Sequence, residues 1–237
     1  MESWNQAVSS HGPIQELASD LWIVQGSIKR NPLPRNMVVW KMPTGGLLIH
    51  SAICLEEESM KKLEQLGPIQ IIVIPSAMHR IDAKRFATRY PSATFVCPEA
   101  ARAAASEVVD ALEPLEKTLT THGIVVHTPK GLKPSEHALE LPLQGGGKAL
   151  LLNDCLFNLG ANPPRGFGGF MLKLLGSVRP LGITPLGKKL MLEDANDFGD
   201  YLRNLSEIDG LSVLCVSHGT PIQESVSDAL VQASQRV

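Results

Sequence analysis

Aromatic side chains are scarce in this 237-residue chain, at 5% of residues. With so few large rings, the interior has to be built mainly from leucine, isoleucine, valine and alanine. Cysteine is sparse as well: Cys54, Cys97, Cys155 and Cys215 lie far apart and form no Cys-x-x-Cys pair. That spacing argues against a disulfide scaffold or a cysteine zinc site, and reduced thiols in a cytoplasmic setting are the expectation. No window approaches the roughly 18 uninterrupted apolar residues of a membrane span. The amino terminus, Met1-Glu-Ser-Trp-Asn-Gln6, lacks the basic stretch and apolar run of a signal peptide. A formal charge of −2 gives no electrostatic case for nucleic acid or for an acidic membrane surface, so neither is expected as a partner. There is no Gly-x-Ser-x-Gly, and no cysteine has a histidine beside it, so nucleophilic hydrolysis has no local support. Gly166-Phe-Gly-Gly169 follows no clear strand and lacks a Lys-Ser/Thr ending, so it reads as a turn and not a phosphate loop.

What is present is ordinary for a globular protein, with 43% hydrophobic and 19% charged residues. Three short β-rich runs, Leu21–Gln25, Met37–Lys41 and Leu47–His50, read as a meander. A helix is expected over Glu56–Leu66, with Met60, Leu63 and Leu66 on one stripe and Gly67 past its end. The continuous apolar run Ile69–Ile74 reads as a strand covered on both faces. A helix over Ala83–Arg89 must stop at Tyr90-Pro91. A strand over Thr94–Val96, a helix over Glu99–Leu112 and a strand over Gly123–His127 follow. Glu136–Leu143 and Lys148–Leu152 read as a hairpin around Gly145-Gly-Gly147. Helices over Asp194–Leu205 and Ser225–Gln235 flank a strand at Leu211–Val216. Each half runs from strands to strand–helix alternation, which gives an α/β (α+β) fold: a four-layer αββα sandwich with two mixed sheets and helices outside. One domain is expected over 1–237, with residues 1–18 a mobile segment and 158–192 an irregular, lid-like insertion.

Single metal-ligand types stand where strands end. His79 and Asp82 follow Ile69–Pro75 and share one helical face at i and i+3; the plainer use of Asp82 is to cap the helix at Ala83. Asp154 follows Lys148–Leu152, and an aspartate there either binds a cation or folds back on a turn. His218 leaves the strand Leu211–Val216 in Ser217-His-Gly-Thr-Pro221, and its plainer use is a hydrogen bond to backbone. His50 ends an earlier strand, as a support for the site or as a core histidine. Strand ends hold side chains on a rigid scaffold at a shared edge, the usual way an α/β protein assembles a site from distant segments.

These positions, in this order, resemble the metallo-β-lactamase superfamily over roughly Leu21 to Gln223. Leu47–Ser51 resembles the family's early strand and Ile-Asp-Thr-Gly turn, with His50 in place of the aspartate. Ile72–Ala83 resembles the segment that carries the His-x-His-x-Asp-His motif. Asp154 in Leu150–Phe157 takes the place of the metal-bridging aspartate, and His218 in Val216–Ile222 that of the closing-loop histidine. The wording around Gly46–Ser51 and Leu66–His79 is closer to a divergent branch in which that motif is eroded. With His79 as the second motif histidine, the first becomes Ala77, the aspartate becomes Ile81 and the last histidine becomes Asp82. The middle histidine falls near Gly131–Ser135, where there is none; His137 lies close by.

The resemblance implies the αββα sandwich and metal ligands at His79, Asp82, Asp154 and His218, enough for one divalent metal, with Asp82 as ligand or base. Zinc is the first expectation, with manganese or iron as alternatives. Two functions follow. The first is a mononuclear metal-dependent hydrolase acting on an ester, thioester or amide of a small-molecule substrate. The second is a catalytically inactive, metal-free member that binds a small molecule or a protein, which Ala77, Ile81 and Leu132 favour. Phe167, Phe170, Met171 and Leu172 make the 158–192 segment either an apolar lid or a homodimer contact.

Overall fold

A computed structural model describes residues 4–160 and 162–237. These residues divide into two compact units. The first takes in the residues up to Lys29 and Asn36–His122; the second takes in Arg30–Arg35 and Gly123–Val237.

In the first unit the elements are α1 (Trp4–Ala7), β1 (Gln15–Ala18), β2 (Leu21–Ile28), β3 (Asn31–Lys41, which begins in the second unit), β4 (Leu47–His50), α2 (Glu57–Leu66), β5 (Ile69–Val73), α3 (Ala83–Arg89), β6 (Thr94–Cys97), α4 (Glu99–Ala105), β7 (Glu113–Pro114) and α5 (Leu115–Thr120). The seven strands form one sheet in chain order. Pairing is antiparallel for β1/β2 and β3/β4, and parallel from β4 through β7. The strand β4 and most of β5 are buried, as their unbroken apolar sequences require. Met60 and Leu63 of α2 and Phe86 of α3 pack with Ile49 and Ile72 into one core.

Two segments of this unit differ from expectation. Residues 4–18, expected to be mobile, contain α1 and β1 and are tied down. The indole of Trp4 donates to Leu55 O at 2.8 Å, and Glu56 N donates to the His11 ring at 3.0 Å. The helix expected over Glu99–Leu112 stops at Ala105, because Ser106 bonds back to Ala103 O and Arg102 reaches Leu112 O, turning the chain.

The second unit contains β8 (Val125–His127), β9 (Ala138–Pro142), β10 (Lys148–Leu152), α6 (Gly166–Leu174), α7 (Pro185–Met191), α8 (Ala195–Ser206), β11 (Leu211–Val216) and α9 (Val226–Ser234). Its sheet runs β11-β10-β9-β8, antiparallel except for the parallel pair β10/β11. Leu150, Leu152, Leu214 and Val216 meet Phe198, Leu202 and Leu230 in a core of its own. Asp194 caps α8 by accepting from Asn196 N and Asp197 N. The 158–192 segment, expected to be irregular, carries α6 and α7. Thr184-Pro185 is a proper start for α7, with the threonine side chain accepting from Gly187 N. Three glycines hide α6 from any propensity reading.

Within this sheet, Glu140 accepts hydrogen bonds from Lys148 and His127, each at 2.8 Å. Burial raises its pKa, but the hydrogen bonds and charges of Lys148 and His127 outweigh that, and the carboxyl ends below the ordinary range. A depressed folded pKa stabilises the fold above the unfolded value of about 4.3. That stabilisation is lost as pH falls through the folded value. Urea unfolding is therefore expected to show Glu140→Gln less stable than the parent at neutral pH, with the difference shrinking below about pH 4.

Candidate metal centre

The parallel pair β10/β11 sets the site of the second unit. Its register places Leu152 opposite Val216. The same offset of 64 residues continues past the strands, where Ser217 Oγ donates to Asn153 Oδ1 at 2.8 Å. One step further, His218 Nε2 lies 3.0 Å from Asp154 Oδ1. The loop carrying the histidine is fixed by Asn158, whose N–H donates to His218 O (3.0 Å) and whose carbonyl accepts from Thr220 N (2.9 Å). Gly219 has φ +118°, and a Cβ there would stand 2.0 Å from Asn158 O. Only glycine allows this approach. The Phe157 ring packs on the imidazole at 4.5 Å between centroids.

His218 Nδ1 stands 2.6 Å from Pro34 O. A carbonyl oxygen can only accept, so Nδ1 carries the proton. Nε2 then meets the Asp154 carboxylate either through a second ring proton, as an ion pair, or through a bound cation. The donor set fits zinc: zinc–nitrogen and zinc–oxygen bonds are each about 2.1 Å, so two such ligands of one ion can lie 3 Å apart. A backbone carbonyl on the far nitrogen is also the usual way a metal-binding histidine is oriented.

Beneath this pair lies Glu136, 2% exposed. Its Oε2 accepts from Asp154 N at 2.9 Å and Cys155 N at 3.2 Å, and its Oε1 from Asn153 Nδ2 at 3.2 Å. Burial, with the Asp154 charge beside it, pushes this carboxyl up to about 8, against the pull of the three donors. Burial and the same two carboxylates hold the Cys155 thiol well above its ordinary value, so it is no nucleophile. Glu136 falls in a stretch expected to be a strand, and its only signal in the sequence is an acidic residue just ahead of a buried apolar run.

In the first unit, His79 is half-buried and its Nδ1 lies 2.7 Å from Ser51 Oγ. Ser51 follows β4 at φ +58°, a conformation uncommon outside glycine, and its N–H donates to Val73 O at 3.1 Å. The serine thus orients the ring through Nδ1, making Nε2 the nitrogen a metal would take. Asp82 occupies the residue before α3, but its side chain makes no capping bond. It is buried, with Oδ2 accepting from Cys54 N at 3.0 Å and Oδ1 4.0 Å from Arg85. Ala77 and Ile81, at positions where the resemblance calls for ligands, are exposed. His50 is buried at the end of β4, and His137 is half-buried next to Glu136. Within the second unit, Asp154 and His218 stand close enough to share one ion, and within the first, His79 offers its Nε2.

The Glu136 clamp predicts a stability effect separate from metal. Glu136→Ala leaves two backbone N–H groups without their acceptor and is expected to lower unfolding free energy by about 2–4 kcal/mol in urea titrations. Glu136→Gln, which retains an acceptor oxygen, is expected to lose less than half of that.

No family model and no curated protein matches the chain by sequence. Solved structures do match it in shape. The metallo-β-lactamase FIM-1 from Pseudomonas aeruginosa, in its mono-zinc form, superposes with a TM-score of 0.61 at 12% identity, over 95% of this chain and 96% of that one. The metallo-β-lactamase DIM-1 gives 0.63 at 12% identity, over 97% and 98%. The metallo-β-lactamase from Erythrobacter litoralis gives 0.60 at 13%, over 94% and 96%. With two mixed sheets, α+β content and these neighbours, the chain has the metallo-β-lactamase fold, the αββα sandwich read from its sequence.

Proposed function

We propose that this protein is a mononuclear metal-dependent hydrolase acting on an ester, thioester or amide. The observation that carries the reading is the His218 ring, whose proton is committed to Pro34 O while Nε2 faces Asp154 at 3.0 Å. The ligand types of the proposal are His79, oriented by Ser51, in the first unit, and Asp154 with His218, oriented by the Pro34 carbonyl, in the second. Asp82, a buried carboxylate three residues after His79, is the proposed further ligand or general base. Zinc is the proposed ion, with manganese or iron as alternatives. Such an ion supplies Lewis acidity toward a carbonyl oxygen and makes water nucleophilic at neutral pH. The chain's own part is to fix the ligands: Glu136 holds the Asp154 loop, and Asn158 and Gly219 hold that of His218.

A metal-free binding module is the second reading, favoured by exposed Ala77 and Ile81 where two ligands are missing. In that reading a proton, and not a metal, lies between His218 and Asp154.

The two separate on metal analysis of protein purified without chelator. The hydrolase reading expects one ion per chain, with His218→Ala and Asp154→Ala each weakening affinity at least about tenfold. Hydrolysis of a panel of small esters, thioesters and amides is expected to follow metal content. In Asp82→Asn, loss of rate at full metal content marks a base, and loss of metal marks a ligand. Substoichiometric metal unchanged by added zinc, manganese or iron would sink the hydrolase reading.

A further inference from the structure

The formal charge of −2 describes the whole chain and hides a strongly uneven distribution. From Cys155 to Leu192 there are five basic residues, Arg165, Lys173, Arg179, Lys188 and Lys189, and no Asp or Glu. Acidic residues resume at Glu193. The same stretch holds six of the ten exposed large hydrophobic residues among those described: Phe167 (80% exposed), Phe170, Leu174, Leu175, Leu186 and Leu190.

The helix α6 is built to keep its apolar side out. Phe167, Phe170 and Leu174 fall at i, i+3 and i+7, on one helical face. The other side closes on two prolines through glycine. A Cβ on Gly169 would lie 1.7 Å from Pro164 O, and one on Gly168 would lie 2.4 Å from Pro32 Cβ. No larger residue fits at either position without a shift. Leu175 follows directly, and α7 exposes Leu186 and Leu190 at i and i+4. The turn between the helices is pinned by Arg179, which donates to Gly176 O and Ile183 O. Arg165 stands exposed at the start of α6 and Lys173 near its end, with Lys189 exposed on α7.

We propose that α6 and α7 dock on the anionic surface of a phospholipid bilayer, with Phe167, Phe170 and Leu174 entering the headgroup–acyl boundary and the lysines and arginines meeting lipid phosphate. Charge decides among occupants. A second copy docked through the same face would bring two all-basic segments together, with no carboxylate in either to answer them. An anionic bilayer answers the charge and dries the rings in one contact. No described helix is long and apolar enough to cross a membrane, so the contact is peripheral. This assignment is independent of the metal reading.

The test is co-sedimentation of the full chain with vesicles of phosphatidylcholine alone or with one third phosphatidylglycerol. Binding is expected only to the anionic vesicles, and is expected to weaken with added salt. The double variant Phe167→Ser/Phe170→Ser is expected to lose about tenfold or more in binding, and Lys173→Glu/Lys189→Glu a similar factor. All four side chains are exposed, and far-UV circular dichroism and metal content are expected to stay at parent values. Three results would overturn the proposal: no binding to anionic vesicles, equal binding to both kinds, or a lipid-free dimer that the Phe167→Ser/Phe170→Ser pair dissolves.

Discussion

One proton governs the candidate site. Because Pro34 presents a carbonyl to His218 Nδ1, the imidazole has a single neutral form, and its remaining lone pair is aimed at a carboxylate. A second ring proton or a metal ion on that nitrogen joins the two groups. The surrounding features hold it in place: the Asn158 ladder and the left-handed Gly219 fix the histidine backbone, and Glu136 fixes the aspartate backbone. Three separate loops are constrained so that the imidazole and the carboxylate face each other. A histidine held in one tautomer against a carboxylate is a pairing common at functional sites.

Buried carboxylate chemistry divides the work in the second unit. Glu136 and Asp154 are both acidic, but the first is enclosed and spends its oxygens on backbone N–H groups, while the second is part-exposed beside the imidazole. Enclosure makes charge expensive for Glu136 and leaves Asp154 the group suited to an external cation. The first unit repeats the logic with neutral partners, since Ser51 accepts an awkward backbone conformation to meet the His79 ring.

Much of the fold was legible because it rests on periodicity. Unbroken apolar runs such as Ile69–Val73 and Leu211–Val216 marked strands, and the stripe of Met60 and Leu63 marked a helix. The helix α6 was not legible, because its stability comes from glycines pressed on Pro164 and Pro32 and not from helix propensity. The two-residue strand β7 is too short to carry any period. His79, Asp154 and His218 could be named as candidates from their places after strands. Glu136, Ser51 and the Pro34 carbonyl could not, since their roles arise from contacts between segments far apart in sequence. The capping use of Asp82 was reasonable from its position alone, but the structure turns that carboxylate to Cys54 N instead.

The register of β10 against β11 has a consequence for how such a protein can change over time. Asp154 meets His218 because Leu152 is paired with Val216, and that pairing is local to two strands. Everything between them, α6, α7 and α8 included, leaves the sheet and returns to it. Beyond Asn158, which holds the His218 loop, residues can be inserted, deleted or exchanged without altering which side chains meet at the strand ends. A slip of one residue between the strands themselves would instead bring Ser217 opposite Asp154 and turn His218 away. Novelty can therefore accumulate in the excursion while the pairing stays fixed, and the excursion is where this chain keeps its most unusual composition.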